Sequence, residues 1–236
     1  MISTAMWLIG CNAKNSPSTP GTDQSIIAYD IDKMGIPKFV STNYIDLTKI
    51  QSISKFRSSE GHDYSDGAEK CRTMKHYFWP EGGDPGQVHV PSWSTISVYA
   101  PVEGSVDRLD EEWAGTQIWI RSRQYPDFFF IIFHVQRKDS LKVGDPIAVG
   151  QFVGSHIGDQ TMSDIAVGVS TPGGWRLISW FDVLTDSLFH QYQSRGIASR
   201  EALQISKSER DANPLTCNGE TYINGGSLEG WVVLFP

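Results

Sequence analysis

The chain has 236 residues, 39% hydrophobic and 20% charged, which is long enough to bury a full core as a single domain with long extensions. Its formal net charge of -7 gives no electrostatic footprint for nucleic acid or an anionic membrane, so nucleic acid is not expected as a partner. Eight Trp exceed the usual need of such a core, and several stand beside Gly or Pro in apparent loops, where they either pack or line a binding surface.

In chain order, Met1 to Cys11 is apolar and then breaks into a polar stretch rich in Ser, Thr and Pro. Leu8-Ile9-Gly10-Cys11 resembles a bacterial lipobox, in which the Cys is acylated after cleavage before it, although no Lys or Arg precedes the apolar run. The resemblance implies a signal segment over 1–11, a flexible tether over 12–24 and a lipid anchor on Cys11 as the only membrane attachment. No other segment approaches the roughly 18 apolar residues of a membrane span. With Cys11 assigned in this way, Cys71 and Cys217 remain as a pair, read as a disulfide in an oxidising compartment or as two buried thiols. Neither lies in a C-x-x-C spacing.

Residues 25–236 are read as one domain. A strand or turn is expected near Ile45 to Ile53, and residues 61–95, rich in Gly, Pro, His and aromatics without a period, as a long functional loop. From Ile96 the pattern becomes β, with strands expected over 96–100, 104–109, 116–123, 128–136, 146–153 and 164–169. Thr116 to Arg123 alternates cleanly, whereas Phe128 to Phe133 is apolar on both faces and predicts a central strand. Helical spacing comes next over 182–193 and over 199–211, the latter with Ser199 as N-cap, and Gly230 to Phe235 reads as a short strand returning to the sheet.

Two segments set the scaffold. Tyr99-Ala-Pro-Val-Glu-Gly-Ser-Val106 and Leu141-Lys-Val-Gly-Asp-Pro-Ile-Ala-Val-Gly-Gln-Phe-Val-Gly154 place Gly and Val/Ile as tight turns between short strands. Together they resemble the duplicated hybrid motif of lysostaphin-type zinc endopeptidases and of biotinyl and lipoyl carriers. The resemblance implies a mainly β fold, an antiparallel sandwich or barrel with appended C-terminal helices, its core over about 58–185. The carrier branch needs a Lys at a hairpin tip, and Met74-Lys75 lies outside the β region.

Lysostaphin-type enzymes take two of three zinc ligands from an H-x3-D element, here His62 to Asp66, and a His at the end of the strand before the Gly-Asp segment, here His134, faces the developing oxyanion. The third ligand and a catalytic His come from an H-x-H strand. Here that strand reads Asp164-Ile165-Ala166, and period-two alternation puts Asp164 and Ala166 on one face. An Ala cannot ligate a metal. His76 is the replacement ligand expected to complete a site with His62 and Asp66, His89 from the long loop being another, whereas His156 lies nearby in sequence but is read as a turn residue, and Asp164 is either an oxygen ligand or a general base. Zn is the cofactor implied, and a harder, oxygen-rich set would also take Mn or Ca. The implied function is that of an extracytoplasmic metallopeptidase-like protein of the bacterial cell envelope, secreted or lipid-anchored, acting on peptidoglycan as a metal-dependent endopeptidase if active. The alternative is a non-catalytic module binding peptidoglycan, peptide or glycan. Glu103, Asp107, Glu111 and Glu112 also cluster, as a solvated turn or a carboxylate pair.

Overall fold

The structure, a computed structural model, describes residues 28–82, 93–158 and 161–236. The segment 1–11 with Cys11, the tether 12–24 and His89 lie outside the described residues. In chain order the elements are α1 (Ile31–Met34), β1 (Ile50–Ser54), β2 (His76–Pro80), β3 (Ser97–Tyr99), β4 (Gly104–Glu112), β5 (Gly115–Ser122), β6 (Phe128–Arg137), β7 (Pro146–Ile147), β8 (Phe152–His156), β9 (Ser163–Thr171) and β10 (Gly174–Ile178). Then come α2 (Asp186–Gln193), α3 (Lys207–Ala212), β11 (Cys217–Asn218), β12 (Thr221–Tyr222) and β13 (Trp231–Val233). The protein is mainly β, with few and short helices, α1 before the first strand and α2 and α3 after β10.

Among the described residues eleven strands form one sheet in the order β13-β1-β2-β9-β6-β5-β4-β7, every named pair antiparallel. The same edge of β9 carries β2 along its first half and β10 along its second, and β8 bridges β3 to the far end of β6. β6 is central, as its apolar run predicts. Its Phe128, Phe130, Ile132 and Val135 enter the main core together with Ile165, Val167 and Val169 of β9. Tyr44, Trp180, Phe181 and Tyr192 close that core from the far side, fully buried. Burying side chains of this size contributes about 2–3 kcal/mol each relative to exposure, enough to hold the sheet against the α2 region. The opposite face of β6 and β9 packs Ile131, Phe133 and Ala166 with Phe56, Met74 and Leu177 into a smaller cluster. This second face carries the candidate site.

Several boundaries differ from expectation for physical reasons. The strand expected over 146–153 is two strands, because Ala148 and Gln151 close a turn through the Gln151 side chain. β2 falls inside the stretch read as a loop; all five of its residues are buried, so neither face carries a polar period. The helix expected over 182–193 starts at Asp186, where Thr185 Oγ1 accepts the Leu188 amide as N-cap. The helix over 199–211 is a short 3-10 turn and then α3, capped by Ser206, not Ser199. The final strand does return to the sheet, β13 pairing with β1. The Trp surplus divides: Trp180 and Trp79 are core, whereas Trp113 is 77% exposed.

Candidate functional site

The site begins with a break in β6. Between the pairs Thr116/Val135 and Ile118/Ile132 the strand holds one extra residue, and His134 takes a left-handed conformation with φ 60°. That is a β-bulge, a device that re-aims a side chain at some conformational cost. It leaves Phe133 on the second face, returns Val135 to the main core and frees His134 to turn toward β9. There His134 Nε2 lies 3.3 Å from Asp164 Oδ1, while Nδ1–H donates to the Ala114 carbonyl at 3.1 Å.

Asp164 is fully buried. Its second oxygen lies 2.5 Å from Nζ of Lys75, the residue before β2, whose side chain is 1% exposed. Neither donor approaches along a hydrogen-bond direction, so both carboxylate oxygens lack an aligned donor despite the two close charges. The Lys75 ammonium is also held by rings: Phe133 at 4.1 Å and Tyr64 and Tyr77 each at 4.9 Å to the centroid. His62 Nε2 completes its surroundings at 3.2 Å. His62 Nδ1–H donates to the Asp63 carbonyl, which leaves the lone pair of Nε2 facing the ammonium. Burial and then the Lys75 charge hold His62 below its usual range; burial pushes Tyr64 up to about 12.

The loop that brings His62 and Tyr64 here is tied at many points. The Cys71–Cys217 disulfide joins it to the β11–β12 hairpin. Asp63 N–H donates to the Glu220 carbonyl, and Thr73 and Tyr222 hydroxyls meet at 2.7 Å. Gly61, at φ 69°, is required by close approach: a Cβ there would collide with the Tyr77 hydroxyl. His62, Tyr64, Lys75, Tyr77, Phe133 and His134 line a groove of about 910 Å³ together with Glu112, Trp113, Glu220 and Thr221. Burial pushes Glu112 upward, and its carboxylate accepts from Gln117 Nε2 at 3.0 Å.

The candidate metal ligands do not converge. Asp66 is consumed structurally: Oδ1 accepts the amides of Ala68 and Glu69 at 2.8 and 2.9 Å, and Oδ2 accepts the amide of Leu177 at 2.9 Å with Arg176 Nε at 3.4 Å. His76 points to the other face of β2. There it donates from Nδ1 to the Ser54 carbonyl and accepts at Nε2 from the Ser179 hydroxyl, wedged between Phe56 and Phe181. The cause is alternation: Lys75 and Tyr77 take the site face, so His76 cannot. His156 is the buried last residue of β8 rather than a turn residue. Among the described residues no three His, Cys, Asp or Glu side chains are arranged to hold a metal ion. Such a donor set does not fit zinc, and the cation nearest the Asp164 carboxylate is the chain's own. Glu103 and Glu111 are engaged in exposed pairs with Arg123 and Arg137. Lys75 is the residue that sequence reasoning misses in this role; its place between Met74 and an aromatic run is the one signal, and that run reads as loop.

No protein-family profile matches the sequence, and no curated protein matches it. Solved structures do. One is a Ruminococcus gnavus protein described as a glycyl-glycine endopeptidase LytM, 17% identical over 46% of this chain and 44% of that one, with a TM-score of 0.34. Another is a chain of the SpoIIQ-SpoIIIAH pore forming complex, 9% identical over 68% of this chain and 99% of that one, TM-score 0.40. A third is lysostaphin, 13% identical over 64% and 60%, TM-score 0.34. The chain thus spans less than half of the LytM protein and less than two thirds of lysostaphin. Lysostaphin-type domains are the kind of structure that the chain's own hybrid-motif segments resemble.

Proposed function

We propose that this chain is an extracytoplasmic binding module of the bacterial envelope, whose groove takes a peptide or glycan strand of peptidoglycan without hydrolysing it. One observation carries the reading: the Lys75 ammonium sits among His62, Asp164 and three aromatic rings, on the face where the ligands of a catalytic metal would have to meet. Lys75 fills that place and takes up the Asp164 carboxylate, and Ala166 offers a metal no donor. The groove is of a volume that suits a short peptide or a few sugar rings, and the exposed Trp113 at its mouth supplies a flat apolar surface for either. The disulfide supports an oxidising compartment, and the lipobox-like Cys11 supports attachment at the envelope.

The test joins metal analysis to binding. Protein purified without chelator is expected to carry far less than one metal per chain, to sediment with purified peptidoglycan, and to leave its peptide bonds intact. Trp113→Ala is expected to weaken sedimentation at least about tenfold, as loss of an aromatic anchor does. Stoichiometric metal that His62→Ala removes, or release of new amino termini from the polymer, would return the chain to the peptidases.

A further inference from the structure

The Lys75–Asp164 pair has a geometry that an ordinary ion pair does not need. Both groups are buried, their N···O separation is 2.5 Å, and the approach is not that of a hydrogen bond. Around them stand Phe133, Tyr64 and Tyr77, which offer no countercharge and keep water out. Two full charges held in such a place are costly, and removing both at once relieves that cost. We propose that Lys75 and Asp164 condense to an intramolecular amide, a covalent cross-link between the start of β2 and β9.

The two flanking histidines are placed for opposite tasks, and their tautomers are set by their other contacts. His62 has its proton on Nδ1, donated to the Asp63 carbonyl, so Nε2 is a lone pair 3.2 Å from Nζ and accepts the first ammonium proton. His134 likewise gives Nδ1–H to a carbonyl and sets Nε2 3.3 Å from Asp164 Oδ1, and the condensation proceeds from the form in which a proton is shared between those two atoms. That proton neutralises the carboxylate and makes Cγ an electrophile. The freed amine attacks Cγ, the Nζ–Cγ bond forms, and negative charge gathers on Oδ1, where His134 holds it. The Cγ–Oδ2 bond then breaks. Its electron pair leaves with Oδ2, which receives two protons from Nζ, one directly and one returned by His62, and departs as water. The ammonium's three hydrogens are accounted for, one on the amide and two in the water, and no oxidant or further reactant takes part. The fold holds amine and carboxyl together at contact distance, so the step is intramolecular from the start. The cross-link stands apart from whatever the groove binds, since it needs no ligand.

Mass spectrometry of the full chain decides it. After denaturation and reduction of the disulfide, most molecules are expected to be one water lighter than the sequence requires. Digestion should yield one branched peptide joining the segment of Lys75 to that of Asp164, with no cleavage by trypsin between Lys75 and His76. Asp66-Gly67 can also lose water through its own backbone, so the fragment map must place the loss. An intact mass at the full value, ready tryptic cleavage after Lys75, or a water loss mapped to Asp66 overturns the proposal. His134→Gln, which keeps a donor but not the shared proton, is expected to leave most of the protein unlinked at the time the parent is complete. Equal linkage in that variant would remove His134 from the mechanism.

Discussion

Single residues in this protein hold positions that their chemistry in isolation would not favour, and at His76 the cost of such a position can be measured. Burial holds its imidazole neutral, down to about 4 from the ordinary value near 6.5, and both ring nitrogens have partners suited to the neutral form. The unfolded chain takes up this proton as pH falls below about 6.5, whereas the folded chain resists until about 4. More protons are therefore bound by the unfolded state across that window, and stability falls with acidification, by up to about 3 kcal/mol from this one group. No loss from it is expected above pH 7. Urea midpoints measured at pH 7, 5.5 and 4.5 should show a steep decline in the parent and a shallower one in His76→Gln, which starts lower but has nothing to protonate. Parallel declines would assign the acid sensitivity to other groups. Asp66 gives a second case. Its carboxylate gathers three backbone amides from two distant segments, so Asp66→Ala leaves buried donors unpaired and is expected to cost about 2–4 kcal/mol in the same assay.

At the scale of elements, the β11–β12 hairpin is the least self-sufficient part of the site. Two strands of two residues cannot stand alone, and the hairpin is held by the Cys71–Cys217 bond, by Asp63 N–H on the Glu220 carbonyl and by Tyr222 on the His62 carbonyl. The bond spans a sequence separation of 146 residues, so Cys217→Ser is expected to lower stability by about 2–5 kcal/mol, read from denaturant midpoints. Because Glu220 and Thr221 wall the groove, the variant should also bind peptidoglycan more weakly at temperatures where it is still folded. This pairing was legible from the count of cysteines, as was the central place of β6 from its unbroken apolar run. β2 was not, because a strand buried on both faces with His and Lys at its start has no period to read. The bulge at His134 was equally silent: one extra residue in a strand leaves the sequence unaltered and changes only where the side chain points. Period-two reasoning therefore placed Asp164 correctly and could not foresee that Lys75 would be its partner.

The molecule as a whole is closed by its last strand. β13 pairs with β1 across 177 to 181 residues of chain, as the register Ser54 to Trp231 and Ser52 to Val233 shows. Leu234 enters the main core just beyond it, and Phe235 lies against Gly196, whose missing Cβ leaves room for the ring. The Phe235 amide donates to the Arg195 carbonyl, Arg195 Nε donates to the Phe235 carbonyl and Arg195 Nη1 to the Leu47 carbonyl, so this terminus binds the region after α2 to the segment before β1. A sheet joined in this way gains its last contacts only after most of the chain is placed, which makes folding slow and leaves β1 as an open edge until then. Removal of residues 230–236 should accordingly do two things. It takes away a buried Leu and a row of ladder bonds, for a loss of about 3–5 kcal/mol in denaturant stability. It also leaves the outer edge of β1 unpaired, so the shortened chain should self-associate at concentrations where the parent is monodisperse by light scattering. If the shortened chain keeps the parent's midpoint and stays monodisperse, β13 is an accessory to the sheet and the closure argued from its register is wrong.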